Sequence, residues 1–194
     1  MPKIVLYPNK VLRKTAKAVE KIDDTVLREV SDLVKVLEKS GDGAGLAAPQ
    51  IGVSKRFLAI FDRRNKKTRV YINPKIVKFF GIKDFVKMII GEKDDEDFLE
   101  GCLSFPQLFG TVKRYLTIKL VWQEIIDGKL VKKKQKFEGF EAVVLQHEID
   151  HLDGVLFIDH VKEDNGKFYK MIEGKLVKED INKVLKETNS MRIN

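Results

Sequence analysis

The 194 residues predict an α+β fold, with short, mostly antiparallel strands packed around a central helix that carries His147-Glu148-Ile149-Asp150-His151. Three observations predict it. Two stretches, 25–39 and 139–153, repeat apolar residues at three- and four-residue spacing, the period of a helix with one buried face. Several other segments are short, rich in β-branched and aromatic residues, and bounded by Gly, Asn or Pro, as strands are. Asp127-Gly128 stands between two such segments, where it suits a tight antiparallel hairpin.

The first helix spans Thr25 to Lys39. Val26, Leu27, Val30, Leu33, Val34 and Leu37 form its apolar stripe, Asp24 is placed to cap it, and Gly41 lies just past its end. Residues 41–52, GDGAGLAAPQIG, read as a small-residue loop. FLAIF (57–61) and RVYI (69–72) read as strands, the second ended by Asn73-Pro74. Residues 81–99, with the acidic run Glu92 to Asp97, read as an exposed loop. RYLTIKLVW (114–122) alternates Leu116, Ile118, Leu120 and Trp122 against Thr117, Lys119 and Val121, a half-buried strand. The next strand carries Lys132, Lys133, Lys134 and Lys136, a phosphate-binding patch or, more simply, a solvated edge strand guarded by lysine. The second helix runs from Gly139 to Asp153 with Gly154 as its cap. VLFID (155–159) reads as a strand, Phe168–Lys178 as a hairpin around Glu173-Gly174, and Ile181, Val184 and Leu185 as a short terminal helix.

Composition narrows the function. Apolar residues are 43% and charged residues 34%, enough for a soluble domain with a core, and the length suits one domain with a small appendage. The net charge of +8 reads as a lysine-rich solvated surface, with attraction to nucleic acid or acidic surfaces as the alternative. The single cysteine, Cys102, excludes an intrachain disulfide and a Cys-x-x-Cys motif, and fits a reducing cytoplasm. No apolar run approaches the roughly 20 residues of a membrane span, and MPKIVLYPNKVLRKTAK lacks the apolar stretch of a signal peptide.

The strongest chemical signal is HEIDH, 147–151. Residues four apart share a helix face, so His147 and His151 can bind one metal while Glu148 reaches the water beside it. A catalytic site needs a third ligand. The glycine of the longer metzincin pattern falls on Gly154, but its last ligand position is Phe157. Glu173 and Glu179 are candidates for a zinc-protease reading, His160 sits beyond a strand, and Cys102 is the only thiol. The Gly43–Gln50 segment is neither a dinucleotide fingerprint nor a P-loop. Its small residues allow a substrate backbone close approach, and Gln50 offers an amide donor to a developing oxyanion. Phe140, Val143 and Val144 precede His147 on the same helix face and are expected to line a pocket, with Ala44 and Phe98 as opposing walls. Such a pocket suits an unbranched thioether side chain such as methionine.

Together GAGLAAPQ (43–50), EGCLS (100–104) and QHEIDH (146–151) resemble, in order and rough separation, the three marker segments of peptide deformylase. The resemblance covers about residues 4–162, a catalytic domain, and leaves 163–194 as a C-terminal extension. It implies one divalent metal per chain held by Cys102, His147 and His151 with water as fourth ligand. The ion is Fe2+ first, with Zn2+, Ni2+ or Co2+ possible for this donor set. It implies Glu148 as general base and acid, and Gln50 and the backbone N–H of Leu103 as oxyanion donors. It implies a substrate site that includes Gly43, Ala44, Gly45, Phe98, Glu100, Arg114, Phe140, Val143 and Val144. The implied activity is removal of the N-formyl group from the formylmethionine of nascent chains. The implied partners are those chains and, transiently, the ribosome, without a membrane or a specific nucleic-acid sequence. The stretch between Pro74 and Glu100 is longer and more acidic than in many members, and the C-terminus differs from the longer helix that many bacterial members use at the ribosome. The competing readings are a zinc metalloprotease with a glutamate third ligand and a basic RNA- or ribosome-binding module.

Overall fold

A computed structural model describes residues 1–41, 43–63, 65–90 and 93–191, so Asp42 of the small-residue loop, Glu92 at the head of the acidic run and residues 192–194 lie outside it. The first helix, α1 (Asp24–Lys39), starts one residue earlier than its pattern suggests. Asp23, not Asp24, is the cap, its carboxylate accepting a hydrogen bond from the Val26 N–H at 2.9 Å. The 41–52 segment is not all loop. Gly45–Ala47 forms a short strand, β1, which pairs with β2 (Phe57–Asp62), and Ala48–Ile51 closes into a 3-10 turn ended by Gly52 at φ +84°. Strand β3 (Lys67–Phe80) runs through Asn73-Pro74 instead of stopping there. Asn73 takes φ +51° at an irregularity in the ladder, which lets proline, with no N–H to give, sit inside a strand.

Residues 81–99 are likewise not one exposed loop. They hold β4 (Asp84–Phe85), β5 (Lys87–Ile90), β6 (Lys93–Asp97) and the start of β7 (Leu99–Cys102), with Val86 buried. The signal was weak because β5 and β6 pair only with each other. Then come β8 (Phe105–Thr111), β9 (Lys113–Arg114), β10 (Thr117–Ile126) and β11 (Lys129–Glu138). Arg114 therefore belongs to β9, which pairs with β4, and Leu116 is exposed before β10 begins. The β10–β11 turn is built on Asp127 and Gly128, both at positive φ, as Asp-Gly predicts. Helix α2 (Gly139–Asp153) has the expected bounds and ends at Gly154, φ +75°. VLFID is not a strand: Phe157–Glu163 forms a helix, α3, in which Phe157, Ile158 and Val161 are buried and the Asp159 carboxylate accepts from the Leu156 N–H. A short apolar run carries no period that separates the two choices. Strands β12 (Phe168–Ile172) and β13 (Lys175–Lys178) and helix α4 (Ile181–Met191) complete the chain.

Two sheets position the site. The larger has the order β1-β2-β3-β10-β11, all antiparallel, with β11 and its lysines at an edge; the smaller has the order β13-β12-β8-β7. One face of the larger sheet packs Leu58, Tyr71, Leu120 and Phe137 against Ala142, Leu145 and Ile149 of α2. Part of the other face packs Phe57, Ala59 and Ile72 against Leu33 and Leu37 of α1. The smaller sheet packs Phe105 and Leu108 against α3, Phe168, Val184 and Leu185, so the C-terminal segment is built onto the sheet that carries Cys102. From Ala142 to Ile149 every residue of α2 is buried, as in a helix covered on more than one side. Among the described residues, no helix is long and apolar enough to cross a membrane.

Candidate active site

Burial of α2 puts His147 and His151 in the interior, and β7 delivers Cys102 to them. Their ligand atoms all lie within 4.8 Å of one another, and Cys102 Sγ is 3.2 Å from His151 Nε2. A tetrahedral ion with ordinary metal–sulfur and metal–nitrogen bonds sets such donors about 3.5 Å apart, so this donor set fits one divalent ion. Among the described residues, this is the group of three Cys, His, Asp or Glu donors that meets the condition. Glu173 sits exposed in the β12–β13 turn and Glu179 follows β13, neither in that group. The third side chain that the fold brings to the two histidines is thus the thiol, and the glutamate-ligand protease reading loses its premise.

The histidines are held for the task. His147 Nδ1–H donates to Glu100 Oε2 at 2.9 Å, which turns its Nε2 toward Cys102. Glu100 also accepts from Arg114 Nε at 2.7 Å and Nη2 at 3.0 Å, and Arg114 Nη1 donates to Asp150 Oδ2 at 2.5 Å. Asp150 Oδ2 lies 2.9 Å from His160 Nε2. A hydrogen-bonded chain therefore runs His147–Glu100–Arg114–Asp150–His160 beneath the donors, with Arg114 between two carboxylates. Burial works against the Glu100 charge, but Arg114 beside it and the hydrogen bonds from His147 and Arg114 hold its carboxyl well below the usual range. Burial likewise works against a charged His147, while hydrogen bonds to Cys102 and Glu100 raise its pKa well above the ordinary value. For His151, burial and the charge of His147 push the pKa well below it.

Glu148 follows His147 but points off the shared face. It is buried, its Oε2 has no partner among the described residues, and burial pushes its pKa up to about 7. That is the range in which a carboxyl both takes and returns a proton at neutral pH. Gly45 on β1 backs it: a Cβ at that position would come within 2.7 Å of Glu148 Cγ and Oε1. Gln50 is fixed in sense. The Ala47 N–H donates to its Oε1 at 2.8 Å, so its Nε2 faces Ser104 Oγ at 3.3 Å and Cys102 Sγ at 3.5 Å. Gly101 is required for space, since a Cβ there would meet the Phe109 ring at 2.8 Å.

These groups open onto one cavity of about 490 Å³. Its walls include Gly43, Ala44, Gly45, Gln50, Phe98, Glu100, Cys102, Leu103, Phe140, Val143, Val144, His147 and Glu148. Phe98 and Phe140 meet edge to face at 5.9 Å beside it. Val143 and Val144 are buried, whereas Phe140 is half exposed at the start of α2. Of the residues that the sequence suggests for the site, His151 lies behind the cavity wall beside Cys102, and Arg114 is the other one outside it. It is buried, with its guanidinium committed to Glu100 and Asp150. Glu100 reaches the wall, but its carboxylate is spent on His147 and Arg114.

Sequence reasoning missed Gln146, Asp150 and His160. Gln146 clamps α2 to the Arg114–Tyr115 segment, its Nε2 donating to Tyr115 O at 2.7 Å while the Tyr115 N–H donates to its Oε1 at 3.1 Å. The available signal was the presence of polar residues in a helix too apolar to leave them in water. His160 lies on α3, not beyond a strand, and that is why it reaches Asp150.

A family model described as polypeptide deformylase matches residues 1–167. A peptide deformylase of Desulforudis audaxviator is 42% identical over 156 residues, 80% of this chain and 90% of the relative. The crystal structure of a peptide deformylase from Synechococcus elongatus in complex with actinonin aligns with a TM-score of 0.68 at 32% identity, over 82% of this chain and 78% of that one. A peptide deformylase from Plasmodium falciparum aligns with a TM-score of 0.71 at 28% identity, over 98% of this chain and 99% of that one.

Proposed function

The chain belongs to the peptide deformylase family, and we propose how its residues divide the work of removing the N-formyl group from the terminal methionine of new polypeptides. The observation that carries this division is that Cys102, His147, Glu148 and Gln50 line one cavity, with His151 Nε2 3.2 Å from Cys102 Sγ behind its wall. Cys102, His147 and His151 would hold a divalent ion, which when bound would supply Lewis-acid chemistry and acidify water near neutral pH. Glu148 takes the proton as water adds to the formyl carbon, then returns it to the amine nitrogen as the C–N bond breaks, leaving formate and a free N-terminus. Gln50 Nε2 and the Leu103 N–H donate to the oxygen on which charge develops. Glu100 and Arg114 serve the site from below by orienting His147.

The methionine side chain takes the apolar part of the cavity, against Val143, Val144, Phe98 and Phe140, with Gly43, Ala44 and Gly45 admitting the substrate backbone. Fe2+ is the native ion in this reading. The Cys-His-His set also accepts Zn2+, Ni2+ and Co2+, and the lone thiol of the set suits a reducing cytoplasm. Nascent chains as substrate imply transient association with the ribosome, which the net charge of +8 favours electrostatically. Residues 1–162 are the catalytic unit and 163–194 an extension, whose β12, Val184 and Leu185 brace the smaller sheet. Anaerobic purification, followed by turnover on a formyl-Met peptide and metal analysis of the same sample, tests the reading. Stoichiometric iron with rapid release of formate supports it, and a metal-loaded protein that leaves the formyl group in place refutes it.

A further inference from the structure

The larger sheet has one face only partly covered. Helix α1 packs over the end that holds Ile72, Ile125 and Leu130, and beyond it the same face carries lysine. The antiparallel register places Lys78 of β3, Lys119 of β10 and Lys136 of β11 directly side by side. The next rung sets Lys75 and Lys134 on either side of Val121, and Lys132 lies opposite Gln123 on the third. The Lys78 and Lys136 ammonium groups both lie over the Phe80 ring, at 4.9 and 5.5 Å from its centroid, so these side chains share one face. Glu138, paired with Lys136 at 2.6 Å, is the one carboxylate that β3, β10 and β11 contribute there.

Like charges directly opposite one another weaken a sheet. Lysine on β11 has a reason in the fold, because it guards an edge. Lys75 and Lys78 lie in the part of β3 beyond its pairing with β2, but Lys119 is paired on both sides, so edge protection does not account for a lysine there. We propose that this lysine lattice is a docking face for the phosphodiester backbone of structured RNA. Rungs about 7 Å apart along the strands and columns about 4.8 Å apart across them form a flat grid of positive points. All six cations are Lys, point charges that meet phosphates without the bidentate geometry by which Arg selects carboxylates. The face offers little apolar surface to a lipid, since its aromatic ring lies under two ammonium groups and Val121 is flanked by Lys75 and Lys134. Recognition is therefore of charge and shape, not of sequence. The choice of RNA among polyanions rests on the reading of nascent chains as substrate. Phe80 and Lys136 stand at the strand ends next to Gly139, where α2 begins, and the face they share is the one turned away from α2.

The test compares the wild-type protein with Lys78→Gln/Lys119→Gln/Lys136→Gln and with a charge-matched control, Lys10→Gln/Lys14→Gln/Lys175→Gln. Binding to a fluorescent 20-base-pair RNA hairpin is measured by anisotropy from 50 to 200 mM salt. The face variant is expected to bind at least about tenfold more weakly. The slope of log affinity against log salt should become shallower by about two to three, the loss of three phosphate contacts. The control should stay near wild type. Equal losses in both variants, or an unchanged slope in the face variant, overturn the proposal. So does a face variant that loses binding to phosphatidylserine vesicles while keeping the hairpin. Release of formate from a short formyl-Met peptide is read in parallel and should be unchanged in the face variant. If the wild type fails that assay but binds the hairpin through these lysines, the catalytic reading falls and the docking face stands.

Discussion

Replacing Gly45 with alanine perturbs catalysis through one contact. The new Cβ would lie 2.7 Å from Glu148 Cγ and Oε1 and 2.9 Å from its Cδ, where ordinary contact begins at 3.4 Å. Gly45 does not occupy positive φ, so alanine adds no backbone strain. The atoms in the way belong to a side chain whose Oε2 has no protein partner among the described residues. The carboxylate therefore retreats by about 0.7 Å, and the sheet stays where it is. A displacement of about 1 Å in a catalytic group costs on the order of 100-fold. The expected fall in kcat is thus roughly 30- to 100-fold, about 2–3 kcal/mol in the barrier. Metal content and the thermal midpoint should stay close to wild type. The assay is steady-state release of formate from a formyl-Met tripeptide, with metal analysis and a thermal melt on the same preparations. Glu148→Ala is expected to keep its metal and lose at least about 100-fold. Adding Gly45→Ala to it should cost little more, because the residue it displaces is gone. A Gly45→Ala enzyme within threefold of wild type, or equal further loss on the Glu148→Ala background, would refute the argument.

Cys102→Ala, His147→Ala and His151→Ala should each lose most bound metal by elemental analysis; full occupancy and activity in Cys102→Ala would remove the thiol from the ligand set. Glu100→Gln removes the charge between Arg114 and His147 and should weaken metal affinity by about 10- to 100-fold in chelator competition. Leaving Arg114 buried beside a neutral partner should also cost about 3 kcal/mol of stability, and unchanged affinity would show that His147 needs no orienting carboxylate. Formyl-Met peptides should exceed formyl-Ala peptides in kcat/KM by more than about tenfold, since a single buried methylene supplies roughly that factor. An acetyl-Met peptide should be poor, its extra methyl crowding Gly45 and the metal; equal rates on formyl-Ala, or faster cleavage of an internal peptide bond, would contradict the cavity assignment.

The sequence by itself determined the residues whose meaning is local. His147 and His151 share a helix face because a helix repeats every 3.6 residues, and α2 has the bounds its pattern predicts. Asp127-Gly128 made its hairpin, and Glu173-Gly174 another, because those backbones accept positive φ. The lone thiol could be matched to the histidines only by resemblance, since no local rule joins positions 49 residues apart. Tertiary structure decided what depends on neighbours. VLFID became helix α3 because burial of Phe157, Ile158 and Val161 against β8 outweighed a short, ambiguous apolar run. Residues 84–85, 87–90 and 93–97 became strands by pairing, which the acidic composition of this stretch does not announce. Arg114 reads as a substrate contact in sequence, yet in the fold it neutralises Glu100 and Asp150. That role exists only where β7, β9 and α2 converge, because burial makes an unpaired charge too costly to leave alone.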